Sequence, residues 1–208
     1  MPPSPPAKPK PRFARETAEV RRASLIAAAW RTLAKHGIAG FTIDTICTEA
    51  GVSRGLINHH FNSKDDLLVA VYQTSLQDSF PAHLGPETDG LPPTDRLRLL
   101  IDRNFTQSFA SPDTLRVWLA LWGEIATNPA LKTVHRTLYD RYRAALNAEI
   151  TAIATARNRP TDAPTLSRTL IALVDGLWLE WCLAPEILST DQARTACLRL
   201  IEHEIGPL

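Results

Sequence analysis

The sequence predicts an all-α protein of about nine helices. Three observations carry this. Apolar residues recur at three- and four-residue spacing through most of the chain, and no segment alternates as a half-buried strand does. Cap signatures open several of these stretches: Ser111-Pro112, Asn128-Pro129, and Ser189 with Gln192 three residues on. Between the stretches stand breaks rich in proline and glycine, of which 83–93, HLGPETDGLPP, is the longest. No fixed-period repeat is visible.

Taken in order, the opening PPSPPAKPKP lacks apolar residues for a core and reads as a disordered tail over 1–16. It is either a basic arm that reaches DNA or a solubilising segment. The first helix is expected from Thr17 to His36, with Val20, Ala23, Ala27, Trp30 and Leu33/Ala34 on its inner face and Gly37 as the stop.

Thr42 to Lys64, TIDTICTEAGVSRGLINHHFNSK, reads as two short helices about a tight turn. Thr42 caps the first helix, and Ile43, Ile46 and Ala50 share a face. Gly51 ends it, since glycine enters the left-handed region without a Cβ penalty. Val52 plugs the turn, and Ser53 is placed to cap the second helix. Leu56, Ile57 and Phe61 point inward, leaving Arg54, Gly55, Asn58 and His59 outward. Two short helices joined this way form a helix-turn-helix, whose second helix enters the major groove.

A fourth helix starts at Ser63, with Asp66 at the reciprocal capping position, and carries Leu67, Leu68, Val71, Tyr72 and Leu76 towards Phe80. A stripe of Leu97, Leu100/Ile101, Asn104/Phe105 and Ser108 predicts the next helix. Leu115, Trp118, Leu119, Trp122 and Ile125 line the one after it. A long helix follows from Pro129 to about Ala156, then a break at 161–164, a helix to near Ala184, and a last helix after Ser189.

Composition narrows the function. The chain has 208 residues, 44% hydrophobic and 22% charged, with formal net charge +1. That near-neutrality hides an asymmetry: residues 1–64 hold 10 Lys+Arg against 4 Asp+Glu, and the remainder 13 against 18. A basic front and an acidic rear suit a protein whose front meets a polyanion, although a solvated bias without a partner has the same composition. Cys47, Cys182 and Cys197 are widely spaced with no CxxC, which argues against a disulfide framework or zinc site and for a reduced, cytoplasmic setting. No metal or cofactor is implied. No apolar run reaches membrane-spanning length, and no signal peptide is visible. Gly51-Val52-Ser53-Arg54-Gly55 matches the G-x-S-x-G elbow of hydrolases, but that elbow needs a preceding strand, and here a helix is expected.

Four of the five tryptophans fall in two short stretches. Trp118 and Trp122 share one helix face, as do Trp178 and Trp181, and Asp175 lies on the side of Trp178. Tryptophan faces beside a carboxylate are what a quaternary ammonium needs, each ring offering roughly 0.5–2 kcal/mol. The same spacing also fits tryptophans that simply fill a bundle core.

The helix-turn-helix resembles that of TetR-family transcriptional repressors. It has the Ala50-Gly51-Val52-Ser53 turn, Asn58-His59-His60-Phe61 at the end of the recognition helix, and Lys64 opening the next helix. Asn58 and His60 depart from the family pattern, which commonly has tyrosines there. The segments Asn104-Phe105, 117–122 (VWLALW) and 173–179 (LVDGLWL) resemble the BetI-type, choline-responsive branch of that family, over nearly the whole chain after the tail.

The resemblance implies a DNA-binding unit over 17–64 and a ligand and dimerisation unit over 65–208. It implies a homodimer on a palindromic operator of double-stranded DNA, paired through the last two helices. Leu166, Leu170, Leu173, Leu177, Cys197, Leu200 and Ile201 supply apolar positions there. DNA contacts are expected from Thr42, Ser53, Arg54, Gly55, Asn58, His59, His60 and Lys64: Arg54, Asn58 and His59 at base edges, Thr42, His60 and Lys64 at phosphates. A choline-like effector is expected among Trp118, Trp122, Trp178 and Asp175, with Phe105 closing the cage and Asn104 bonding a ligand hydroxyl. The implied role is a repressor of choline and glycine betaine genes, not an enzyme. A regulator of an efflux pump or catabolic operon, and an enzyme or carrier using the tryptophan pocket, are the rival readings. The last leaves the basic helix-turn-helix unexplained.

Overall fold

In the computed structural model, α1 (Ala18–His36) opens the fold with Thr17 as its cap, the Thr17 hydroxyl accepting from Val20 N at 3.3 Å. The structure describes residues 17–79, 88–106 and 111–208. The proline-rich tail, Phe80, most of the 83–93 break and Ser108 lie outside them. Among the described residues there are nine α-helices and no strand.

The buried face of α1 differs from the expected one. Leu25, Ile26, Ala28, Ala29, Leu33 and Ala34 are inside, whereas Val20 is 54% exposed and Ala23 and Ala27 face solvent. Trp30 is only half-buried. The Leu25-Ala29-Leu33 ladder is the stronger i, i+4 stripe, and its small Ala29 lets neighbouring helices approach.

α2 (Ile43–Ala50) and α3 (Arg54–His60) make the helix-turn-helix. Ile46, Ile57 and Phe61 join Leu25, Leu33 and Phe41 in the core beneath it. Gly51 is left-handed at φ 66°, ψ 36°, and its N–H reaches Cys47 O and Thr48 O. Gly40 is required for a different reason: a Cβ there would lie 2.4 Å from His36 Cβ, so the α1–α2 turn closes only with glycine. Glu49 of α2 clamps α1 by accepting from Arg31 Nε and Lys35 Nζ, each at 2.7 Å.

α4 (Lys64–Ser79) packs on α1 at one end and on α7 (Pro129–Ala156) along its length. The body is completed by α5 (Pro93–Asp102), α6 (Pro112–Thr127), α8 (Ala163–Leu183) and α9 (Thr190–Ile205). The caps fall where the sequence places them. Ser111 accepts from Thr114 N, Asn128 from Ala130 N and Leu131 N, and Ser189 with Gln192 forms the full capping box. α6 also contacts α1, so α6 joins α4 in linking the body to the helix-turn-helix unit.

Three further expectations are corrected. α5 stops at Asp102 and tightens into a 3-10 turn over Arg103–Phe105. There the Asn104 amide turns back on the helix, donating to Leu100 O at 2.6 Å and Ile101 O at 3.4 Å. On α6, Val117 and Leu121 are buried with Trp118, while Leu119 is 45% exposed. Of the apolar positions assigned to a subunit interface, Leu166, Leu170, Cys197 and Ile201 are buried within the chain's own core. Leu173, Leu177 and Leu200 are half-exposed, and Leu183, at the end of α8, is 61% exposed.

Candidate operator interface and effector site

At the front, the helix-turn-helix sets one polar surface. Thr42, Ser53, Arg54, Gly55, Asn58, His59 and Lys64 are exposed, and His60 is half-buried. Thr42 caps α2, accepting from Thr45 N at 3.2 Å. Ser53 occupies the cap position of α3 but its side chain makes no cap bond, contrary to expectation, which leaves its hydroxyl outside the helix's own hydrogen bonding. Gly55 has open space about it: a Cβ there would meet nothing nearer than Ser53 Oγ at 3.9 Å. His59 and His60 meet edge to face with centroids 5.1 Å apart. Lys64 is the first residue of α4, and the Ser63 hydroxyl accepts from Asp66 N at 3.0 Å. Arg54, expected at a base edge, is gripped by Asp44 of α2. Arg22 of α1 stacks 4.8 Å above the Phe61 ring and ties α1 to the end of α3.

In the body, α6 and α8 bring Trp118, Trp122 and Trp178 together. Their ring centroids lie 6.0 Å (118–122), 5.8 Å (122–178) and 6.5 Å (118–178) apart, the two contacts to Trp178 being edge to face. Trp118 and Trp178 are buried, Trp122 half-buried. The cluster does not end there. Tyr72 of α4 sets its ring edge-on to Trp118 at 6.0 Å. Its hydroxyl is hydrogen-bonded to His135 Nδ1 of α7 at 2.7 Å. His135 lies 4.2 Å from the Tyr139 ring, and the Tyr139 hydroxyl donates to Asp175 Oδ2 of α8 at 3.4 Å. Asp175 is three residues before Trp178 on the same helix, which places the carboxylate and the tryptophan on one side of α8. Four helices thus contribute six rings and one carboxylate.

Burial pushes the Asp175 carboxyl up to about 6, and the Tyr139 hydroxyl only partly opposes it. No lysine or arginine is among the groups acting on it. Burial also raises the Tyr72 and Tyr139 hydroxyls, so both stay protonated donors. Burial first, then the Arg143 charge, holds His135 below its ordinary value, so near neutral pH the ring is uncharged and its Nδ1 can accept from Tyr72. The result is a half-buried carboxylate near aromatic rings on which no cation of the described residues acts. Such a group favours a ligand that brings the positive charge.

Tyr72, His135 and Tyr139 are candidate site residues that the helical stripes do not mark: Tyr72 falls among the apolar positions of α4, and α7 carries no site signal in its stripe. The available signal was that His135 and Tyr139 are i, i+4 and share a face. Asn104 and Phe105 are both buried at the turn after α5, and the Asn104 amide also donates to Tyr142 Oη at 3.2 Å. That amide nitrogen is therefore committed to fold contacts.

The Asp175 carboxyl makes a pH prediction. Its folded value lies above its ordinary 3.8, so protonation favours the fold, and this contribution is lost as pH rises through about 6. A bound cation replaces the lost proton. Thermal stabilisation by a quaternary ammonium is therefore expected to be large at pH 7.5 and small at pH 5. Affinity should fall roughly tenfold per unit below pH 6, as one proton competes. Melting curves with and without choline at both pH values check it; equal stabilisation at the two would exclude Asp175 as the counter-charge.

A helix-turn-helix with a polar outer face, joined through a connecting helix to a body that holds an aromatic cluster and a raised carboxyl, defines the class: a DNA-binding regulator with a candidate effector site. The comparisons agree. Residues 25–71 match the model of bacterial regulatory proteins of the tetR family, and residues 93–206 match the BetI-type transcriptional repressor C-terminal model. The chain belongs to the TetR family and carries a BetI-type C-terminal region.

It is 33% identical to the HTH-type transcriptional regulator BetI of Burkholderia mallei, over 91% of this chain and 95% of that relative. Identity to BetI of Ectopseudomonas mendocina is 35%, over 90% and 94%. Among solved structures, a transcriptional regulator from Pseudomonas aeruginosa PAO1 superposes with TM-score 0.79 at 34% identity, covering 92% of this chain and 93% of that one. A regulator from Saccharomonospora viridis in complex with choline superposes with TM-score 0.74 at 28% identity, covering 91% and 98%. The chain is thus a transcriptional regulator rather than a member of an enzyme class. Among the described residues no helix is long and apolar enough to cross a membrane.

Proposed function

We propose that this protein is a cytoplasmic, homodimeric repressor that leaves its operator when choline or a related quaternary ammonium enters the body, and that it controls choline and glycine betaine genes. The observation that carries the reading is Asp175, a half-buried carboxylate on which no lysine or arginine of the described residues acts, three residues before Trp178 on α8, the helix whose Trp178 meets Trp118 and Trp122. The choline complex of the Saccharomonospora viridis regulator supports it. Phe105 and Asn104 belong to the neighbouring turn, and Tyr72, His135 and Tyr139 join the cage.

In this reading residues 17–64 are the DNA-binding unit and 65–208 the effector and dimerisation unit. Asn58 and His59 meet base edges with Arg54; Thr42, His60 and Lys64 meet phosphates, with Ser53 and Gly55 close to the backbone. Two units about 34–36 Å apart read a two-fold operator. Leu173, Leu177, Leu183 and Leu200 on α8 and α9 supply the subunit contact. The link between the two sites is α4: Lys64 begins it at the DNA face and Tyr72 sits in the cage wall, two turns on.

Release of the protein from an operator duplex by choline, set against release by 3,3-dimethyl-1-butanol, tests the reading. The two have nearly the same shape, but only choline is charged. Choline is expected to release the duplex and the neutral isostere to leave it bound. Release by both alike, or by neither, would overturn the quaternary ammonium as effector.

A further inference from the structure

We propose that Asp44 is a positioning residue for operator specificity: it grips one edge of the Arg54 guanidinium so that the other edge offers a fixed fork to a guanine in the major groove. This rests on the reading of Arg54 as a base-edge residue. Arg54 is the first residue of the second helix of the helix-turn-helix, and residues at that end of a recognition helix reach base edges. Its Nε donates to Asp44 Oδ1 at 2.5 Å and its Nη2 to Asp44 Oδ2.

A planar guanidinium has two edges able to make paired hydrogen bonds. Asp44 takes the edge formed by Nε and Nη2. The edge formed by Nη1 and the second hydrogen of Nη2 points away from Asp44. Guanine presents two acceptors, O6 and N7, in the major groove, and these match that edge. Adenine replaces one of them with an amino donor and opposes it.

Two features separate this role from the alternatives. The Arg54 and Asp44 side chains are 64% and 69% exposed, and an ion pair that open contributes little to stability. What it does is hold a long, flexible side chain in one geometry before DNA arrives, so less rotamer freedom is lost on docking. The second feature is charge. A carboxylate held against the guanidinium repels phosphate oxygens but not a neutral base, so the pair suits a base edge and disfavours a phosphate. Asp44 also explains how Arg54 can be specific in a seven-residue helix whose Ser53 side chain makes no cap bond.

The test is selection of duplexes from a random library by the full chain. Binding is then measured to the selected duplex and to copies with each G·C pair replaced by A·T. Wild type should prefer guanine at one position per half-site by roughly 5- to 150-fold, the range of one good bidentate base contact. Arg54→Ala should erase that preference. Arg54→Lys should erase it too while keeping affinity for scrambled DNA, since a lysine keeps the charge without the fork. Asp44→Asn and Asp44→Ala should lower the preference several-fold and raise affinity for scrambled DNA, because a negative charge has left the DNA face. Full guanine preference in both Asp44 variants would overturn the positioning role while leaving Arg54 as a base reader. Uniform weakening on all duplexes by Arg54→Ala would mark a phosphate contact and overturn both.

Discussion

Asp175→Asn is expected to weaken binding of choline by roughly 30-fold or more, because removing one partner of a buried charge pair costs about 2–5 kcal/mol. The variant keeps the size of the side chain and can still accept from the Tyr139 hydroxyl, so the aromatic circuit should survive. Without ligand it should melt higher than wild type at pH 7.5, since a carboxylate that burial has raised to about 6 is ionised there at a cost to the fold. Weaker binding combined with a more stable apo-protein is the signature of a site residue; a core residue would lose both. Trp122→Ala, at the half-buried edge of the cluster, should cost less, about 2- to 30-fold, the range of one cation–π contact. Calorimetric titration of both variants reads these numbers. Normal choline affinity in both would return the tryptophans to the bundle core and leave Asp175 without a role in ligand binding.

Tyr72→Phe is expected to separate binding from release. The Tyr72 ring packs against Trp118, and phenylalanine preserves that contact. What it removes is the hydroxyl that holds His135 Nδ1, a hydrogen bond that crosses from α7 to α4. Choline affinity and ligand-free operator affinity should therefore each stay within a few-fold of wild type. The factor by which choline weakens operator binding, typically about 5- to 150-fold for an allosteric pair, should shrink towards one. The physical basis is that a ligand shifts an equilibrium only through contacts that differ between the two states. The Tyr72–His135 bond is the candidate for such a contact. Operator titrations of Tyr72→Phe at zero and saturating choline give the answer; an undiminished factor would exclude this bond as the link.

Much of this molecule is local in origin and could be read from the chain. Helix starts at Thr17, Thr42, Ser111, Asn128 and Ser189 are fixed by side chains that bond within three residues, and the Gly51 turn by one left-handed backbone position. The helix-turn-helix surface was legible for the same reason. Helix faces were harder. On α1 the expected stripe met the buried face only at Leu33 and Ala34; Leu25, Ile26, Ala28 and Ala29 are buried where Val20, Ala23 and Ala27 were expected, because which face turns inward is set by the helices packed on it and not by spacing along α1. The end of α5 was hidden by the way the Asn104 amide turns back on the helix to Leu100 O and Ile101 O, which no periodicity encodes.

The effector site divides along the same line. The two tryptophan pairs and Asp175 are neighbours on their own helices and could be found by spacing. Tyr72 and His135 are 63 residues apart, and Tyr139 and Asp175 are 36 apart, so their meeting depends on how α4, α7 and α8 cross. The Asp44–Arg54 pair spans only ten residues, yet it depends on the angle set by the Gly51 turn.

On this reading one cation site in the body and one DNA site at the front compete for the same protein. Titrating choline into the protein by calorimetry, alone and then saturated with operator duplex, tests it most directly. One site per subunit is expected, with a choline affinity lowered by operator by the same factor, per coupled site, with which choline lowers operator affinity, since the coupling is reciprocal. The same choline affinity with and without operator would contradict it.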